Sequence, residues 1–395
     1  MTSIRKRTYK NAKGEEVIRW RVQEVINGKV VEFTSIDKNI ALDKLRHYKN
    51  ELELYGNVIT KSGYTLAEWT EKHLFTNKLP QVSAGTFQMY KGLFDNYILG
   101  TKLGKTPLTD IKKINIQEFL NTHTELAHST LRKIYLLISQ TFDSAVDNDL
   151  VRINPCKGVV VPNKNKETKP IQVFTLEDQR NYMIALENEI HRPFFMTALF
   201  TGLRQGELIA LKWKNVDIEE KIIYVKESIR KTKVYKPNGT SENTFVTKPP
   251  KSKAGIRSVP IPNSLIPILC AIRPTGTIDD IGDEYVFKTK TGNPHTSRNI
   301  IKYHERICRK AKINPMVIKD KKGNEQIVYQ GINFHALRHT YATRMLEAGE
   351  AAKTVQVLLG HKDIQTTLNI YTHVLEETKK ASADKQDALF VELMK

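Results

Sequence analysis

The sequence predicts a multidomain α+β protein: a small N-terminal three-stranded sheet plus a helix, then a helical bundle, then a mainly α domain with a small antiparallel sheet. Three observations predict it. Residues 1–60 alternate apolar and polar side chains about an Asn27-Gly28 pair, a two-residue hairpin signal. Residues 64–161 repeat apolar side chains three and four apart, the period of a helix. After the polar run 162–170, bounded by two prolines, helical and strand patterns mix through residues 171–395.

In the first unit, strands are expected around Arg5–Lys10, Val17–Ile26 and Lys29–Ile36, with turns at Asn11–Gly14 and Asn27-Gly28. Arg19, Arg21 and Gln23 alternate with Ile18, Trp20 and Val22, so one sheet face is basic and the other apolar. A helix over Ile40–Tyr55 backs the sheet, with Ala41, Leu45, Tyr48 and Leu52 in phase. In the second unit, Leu66, Trp69, Leu74, Phe87, Tyr90, Leu93, Phe94 and Tyr97 are in helical phase. Ile116, Phe119, Leu120, Leu131, Ile134, Ile138 and Phe142 continue the pattern, giving a bundle of about four helices. Ser83–Thr86 and His128–Thr130 offer N-caps, and Asn154-Pro155 closes the unit. The run 162–170 reads as an extended basic linker. In the third unit, Thr175 with Asp178 starts a helix, and helices follow over Tyr182–Glu189 and Arg192–Thr201. Strands are expected over Ile222–Arg230, Thr244–Lys248 and Arg257–Ile261, then helices from Asn263 and His295. Lys319–Asn324 reads as a hydrophilic hairpin tip.

Composition narrows the partner. Lys and Arg number 62 against 43 Asp and Glu, a formal charge of +19, which points to a polyanion. No apolar stretch approaches the ~18 residues of a membrane span, and no apolar core follows the basic start Met1–Arg7, so a cytosolic protein is expected. Cys156, Cys270 and Cys308 are scattered, which disfavours both a disulfide framework and a metal site; no cofactor is expected.

Chemistry concentrates in the last half of the chain. In order come Thr201-Gly202-Leu203-Arg204-Gln205-Gly206-Glu207-Leu208, Lys251-Ser252-Lys253, His335-Ala336-Leu337-Arg338-His339, Leu359-Gly360-His361 and Tyr371. Guanidinium groups bind phosphate oxygens in a bidentate fork and stay charged. His335 precedes Arg338 by three residues, so a helix would project both from one face. A tyrosine phenol, ordinarily near pKa 10, needs such positive surroundings to ionise. Together they are the groups needed to attack a phosphodiester: a nucleophile, positive charge on the non-bridging oxygens and an acid for the leaving oxygen.

These motifs, in this order and spacing, resemble the tyrosine recombinase family, the integrases of phages and mobile elements. The resemblance implies that Tyr371 attacks the scissile phosphate and forms a 3′-phosphotyrosyl bond, while Arg204 and Arg338 stabilise the transition state. His335 then assists proton transfer, His361 hydrogen-bonds the phosphate, and Glu207 orients Arg204 or its neighbours. The family's leaving-group lysine corresponds to Lys251, by comparison with Pro-Lys-Ser/Thr-Lys sequences, with Lys253 as the alternative. Residues 1–60 resemble an arm-type DNA-binding domain, 64–161 a core-binding domain and 171–395 the catalytic domain with its C-terminal tail. Candidate DNA contacts are Arg19, Arg21, Gln23, Lys91, Lys105, Arg132 and Lys133. The implied partners are double-stranded DNA carrying core-type and arm-type sites, a homotetramer joined through the apolar tail Ala388–Met394, and accessory DNA-bending and excision proteins. A Xer-like resolvase, a type IB topoisomerase and a DNA-binding regulator with a relic site remain as alternatives.

Overall fold

A computed structural model describes residues 2–10, 16–55, 63–163, 171–250, 253–319, 325–371, 390 and 394. The chain divides into two compact units, residues 1–165 and 166–395. The linker expected at 162–170 falls mostly on residues 164–170, outside the described residues, as do the Asn11–Gly14 turn and nearly all of the C-terminal tail.

The first unit opens with β1 (Ser3–Lys10), β2 (Glu16–Ile26) and β3 (Lys29–Ser35) in an antiparallel sheet of that order. Asn27 and Gly28 take φ of 50° and 77°, the left-handed pair that a tight hairpin requires. Helix α1 (Lys38–Tyr55) starts two residues earlier than its apolar pattern, because Asp37 Oδ1 accepts the Asn39 N–H at 2.6 Å. Its Ala41 and Leu45 bury Val22, with Ile26, Val31 and Phe33 alongside. Ile18 departs from the expected apolar face: it is 44% exposed, beyond the patch that α1 covers. Register places Arg7 opposite Arg19 and Arg5 opposite Arg21, so four arginines share the face turned away from α1.

The rest of this unit is helical. It comprises α2 (Leu66–His73), α3 (Leu79–Gln81), α4 (Ala84–Tyr97), α5 (Lys113–Asn121) and α6 (His128–Asp147), with a π turn at Leu74–Lys78 between α2 and α3. Thr65 and Glu68 cap α2 reciprocally, and Ser83 caps α4. Helix α6 begins at His128 with Ala127 at the cap and no side-chain cap bond, so the expected capping role of Ser129 and Thr130 is not taken. Leu66, Phe87, Phe94, Ile116, Leu120, Ile134, Ile138 and Phe142 are fully buried, whereas Tyr90 and Tyr97 are only half-buried. Asn154 closes the unit: its Nδ2 donates to Asp143 Oδ1 at 2.7 Å and its Oδ1 accepts the Cys156 N–H at 2.8 Å.

The second unit begins with α7 (Leu176–Ala185), capped by the Thr175–Asp178 box, then α8 (Arg192–Thr201) and α9 (Gln205–Ala210). The strand expected over 222–230 is interrupted at 226–227 and serves two sheets. β5 (Ile222–Val225) lies between β4 (Val216–Asp217) and β8 (Arg257–Pro260), while β6 (Ser228–Tyr235) pairs with β7 (Ser241–Lys248). Short helices α10 (Ile266–Cys270) and α11 (Ile278–Ile281) lead to α12 (Ser297–Lys310), which Thr296 caps. β9 (Pro315–Lys319) and β10 (Glu325–Tyr329) pair antiparallel on either side of the expected hydrophilic tip, whose residues 320–324 lie outside the described residues. Three further helices follow: α13 (His335–Glu347), α14 (Ala352–Leu359) and α15 (Ile364–Tyr371). The core gathers Phe174, Tyr182, Phe194, Phe195 and Trp213 with Leu337 of α13; Leu359 and Ile370 pack in a smaller cluster with Ala342 and Val355. No described helix is long and apolar enough to cross a membrane.

Candidate active site

The site forms where four segments of the second unit meet. Helix α8 ends at Gly202 in the left-handed conformation, φ 61°, where a Cβ would stand 2.5 Å from the Tyr341 ring. This turn delivers Arg204 as the N-cap of α9. Arg204 Nη1 donates to Glu207 Oε1 at 2.8 Å, and the Arg204 main-chain N–H donates to Glu207 Oε2 at 2.9 Å. Arg338 projects from the first turn of α13 and is 2% exposed. Its Nη1 donates to the Gly202 carbonyl at 2.7 Å and its Nη2 to the Leu359 carbonyl. Arg204 Nη2 donates to the next carbonyl, Gly360, at 3.0 Å.

A third guanidinium, which the motif order does not reveal, completes the pattern. Arg257 Nε donates to the Leu358 carbonyl at 2.6 Å, and its Nη1 and Nη2 hold Glu207 at 3.1 and 2.8 Å. Three arginines from three segments therefore take three successive carbonyls, 358 to 360, at the C-terminal end of α14. Those carbonyls lack partners within their helix and form the negative end of its dipole. Arg257 could have been found from its position: on β8 it shares the inward side with Val259, where an arginine must have a buried acceptor.

Gly360, with φ 65°, ends α14 and turns the chain into His361. His361 is buried, and its Nδ1 lies 2.9 Å from Thr367 Oγ1 on α15. Ile370, one residue before Tyr371, is 2% exposed and packs with Leu359 and Val355. Tyr371 is the last described residue of α15, a helix anchored beside the arginine cluster; its side chain lies outside the described residues. His335 opens α13 with an exposed edge, its ring at 4.7 Å from that of His339. Lys251 lies outside the described residues, and Lys253 starts the short turn Lys253–Gly255 without a described side chain.

The electrostatics favour an incoming anion. Burial, then the Arg204 charge, pushes the Arg338 pKa down to about 9. Partial burial with His339, Arg338 and Arg204 pushes His335 down to about 4; burial with Arg338 and Arg204 pushes His361 down to about 3. Burial opposes the charge of Glu207, but the Arg257 and Arg204 bonds outweigh it and hold its pKa below the ordinary carboxylate value. Glu207 is ionised at neutral pH, and the imidazoles are neutral.

The structure brings Arg204, Arg338, His335, His361 and Glu207 together. The predicted DNA contacts are placed variously. Arg19, Lys105, Arg132 and Lys133 are exposed, and Gln23 lies opposite Ser3 and Glu32 in the sheet. Arg21 is ion-paired with Glu32. Lys91 is held between Asp95 at 2.5 Å and Glu71 at 3.6 Å, with its side chain 14% exposed. Two other tyrosines of this unit are engaged elsewhere: Tyr341 packs over Gly202, and Tyr329 sits on β10 opposite Pro315.

Guanidinium and imidazole groups gathered beside the helix that carries Tyr371, in this mixed α+β unit, are the groups that a DNA strand-transferring enzyme requires. The profile of the phage integrase family matches residues 173–378, and that of the phage integrase N-terminal SAM-like domain matches residues 65–123. The chain belongs to the phage integrase family, the tyrosine recombinases, and is a site-specific DNA recombinase. It is 32% identical to a XerC-like tyrosine recombinase of Caldanaerobacter subterraneus subsp. tengcongensis, over 92% of this chain and 94% of the relative. It is 26% identical to the ICEBs1 integrase of Bacillus subtilis, over 71% of this chain and 73% of the relative. Among solved structures, the Tn1549 transposon integrase in complex with a circular intermediate DNA has a TM-score of 0.62 at 21% identity, covering 82% of this chain and 100% of that one. A lambda integrase tetramer bound to a Holliday junction has a TM-score of 0.54 at 19% identity, covering 92% and 94%. These two likenesses establish the fold.

Proposed function

We propose that the chain is the integrase of a mobile element or prophage and joins and excises it through a 3′-phosphotyrosyl intermediate. The observation that carries this reading is the convergence of Arg204 and Arg338 on successive carbonyls immediately before His361. A scissile phosphate held there meets two guanidinium groups and two imidazoles in one protected place. The Tyr371 phenol gives up its proton, with neutral His335 as acceptor, and its oxygen bonds to phosphorus as the bond to the 5′-oxygen breaks. Lys251, with Lys253 as alternative, protonates the departing 5′-oxygen. One phosphate ester replaces another, so the energy of the bond is kept and a second strand's 5′-hydroxyl can reverse the step.

In this reading residues 1–60 bind arm-type sites with the Arg5, Arg7, Arg19 and Arg21 face, residues 64–161 bind core-type sites, and 171–395 perform the chemistry. The similarity to the ICEBs1 integrase supports the mobile-element assignment. The lambda tetramer supports assembly as a homotetramer, here through the tail 388–394, in the bacterial cytosol with accessory DNA-bending and excision proteins. The test is a nicked suicide duplex spanning the element's end. The wild type traps a covalent adduct on it and Tyr371→Phe traps none; an adduct on Tyr371→Phe refutes the assignment.

A further inference from the structure

Arg257 belongs to none of the motifs that carry the chemistry, yet it is only 9% exposed and each of its guanidinium nitrogens has a partner. Besides Leu358 and Glu207, Nη1 donates to the Gly255 carbonyl at 3.2 Å. With Nε, Nη1 and Nη2 all engaged, the group has little to offer a phosphate, whereas Arg338, though more deeply buried, keeps an Nε with no partner among the described residues. Arg204, by contrast, has a side chain 37% exposed.

Each partner of Arg257 belongs to a different piece of the site. Glu207 holds both Nη1 and the main-chain N–H of Arg204. Leu358 lies in the last turn of α14, just ahead of Gly360 and His361. Gly255 ends the short turn beside the lysine candidates. The packing here is close, since a Cβ on Gly360 would stand 3.0 Å from Arg257 Cδ.

A buried ion pair adds little stability over well-packed apolar side chains, because removing both charges from water costs nearly what their attraction returns. What Arg257 supplies is direction. Its planar fork fixes the Glu207 carboxylate in one orientation, and that carboxylate fixes Arg204. We propose that Arg257 is a positioning residue for strand transfer: it locks Glu207, and through it Arg204, against the turn that carries His361. The proposal rests on the roles given above to Arg204 and Tyr371.

The test uses the full chain and the suicide duplex. Arg257→Lys keeps the charge and loses the fork. It is expected to form the adduct about 10- to 100-fold more slowly than wild type, the usual loss when a supporting hydrogen-bond partner is removed. Its DNA affinity should stay within about twofold, because phosphate contacts set affinity and Arg257 offers none. A second duplex carries a neutral methylphosphonate at the scissile position, which removes the charge that Arg204 neutralises. On it the deficit of Arg257→Lys should shrink to about threefold or less, because its defect then concerns an interaction no longer used. An equal deficit on both duplexes reveals general structural damage and overturns the proposal; so does a wild-type rate on the ordinary duplex. If Arg257→Lys loses its cooperative melt, Arg257→Gln combined with Glu207→Gln leaves no unpaired buried charge. That pair must then show the same deficit and the same recovery. A wild type that forms no adduct, or a Tyr371→Phe that does, sinks the reading of the site and the positioning role with it.

Discussion

Gly360→Ala tests whether the turn between α14 and α15 is as tightly determined as its contacts imply. Gly360 has φ 65°, and a side chain there costs about 1 kcal/mol or somewhat more in the left-handed region. The added Cβ would stand 2.7 Å from the Ala254 carbonyl oxygen, 3.0 Å from Arg257 Cδ and 3.1 Å from Arg257 Nη1. The nearest atom is backbone, so the β8 approach and the turn must separate, at about 1–3 kcal/mol for overpacking. The expected loss is about 2–5 kcal/mol, a large part of a typical domain's stability. Gly349→Ala is the control: its φ of 90° is also left-handed, but nothing lies within 4 Å of its added Cβ. Urea denaturation of the second unit's signal should therefore separate the two variants by about 1–3 kcal/mol, with Gly360→Ala the weaker. Adduct formation by Gly360→Ala should also fall by about 100-fold, since displacements near 1 Å at a reacting centre have that effect. Equal denaturation midpoints for the two alanine variants would falsify the account of this turn.

Other expectations follow from the same geometry. Thr367→Val removes the partner of His361 Nδ1 and should slow adduct formation about tenfold, with Thr367→Ser retaining the rate; a normal rate for Thr367→Val means His361 is oriented by something else. His335 and His361 have folded pKa values of about 4 and 3, below the unfolded 6.5, so the unfolded chain binds more protons between those limits. Stability is then full above pH 6.5 and declines as pH falls toward 4, and His335→Gln should flatten part of that decline in denaturant midpoints measured across the range. Bound DNA brings negative charge and should raise both pKa values, a change visible in imidazole NMR titrations. Arg132→Gln and Lys133→Gln, at exposed positions of α6, should each lower the salt-dependence slope of core-site binding by about 1. Lys91→Gln should leave the slope unchanged, because Asp95 and Glu71 already neutralise that ammonium.

Much of this fold was legible because local signals agreed with each other. The Asn27-Gly28 hairpin, the Thr175–Asp178 box and the spacing from Leu66 to Phe142 each appear where the pattern placed them. The strand expected through 222–230 divides at its middle: an apolar run shows β character but not which partner each half will choose. Helix α6 starts at the expected place but without the expected cap, because a hydroxyl near a helix start does not have to bond to it. At the site, linear motifs located Arg204, Glu207, His335, Arg338 and His361, which the structure brings together. They said nothing of Arg257 or Thr367, whose partners lie 50 or more residues away for Arg257–Glu207 and on the next helix for His361–Thr367. The DNA-contact candidates rest on residue type, and type does not tell an exposed Lys105 from a Lys91 enclosed by two carboxylates.

The three arginines grip the end of α14 by its main chain, at carbonyls 358, 359 and 360. Main-chain acceptors are the same whatever side chain they carry, so the grip reads position and not identity. Leu358 can change with little effect on these bonds, whereas inserting or deleting one residue before His361 would hand every arginine the wrong carbonyl. The spacing between the second arginine motif and the tyrosine helix is in this sense a counted length. A chimaeric recombinase that exchanges its tail should be joined after His361, where the count is already complete.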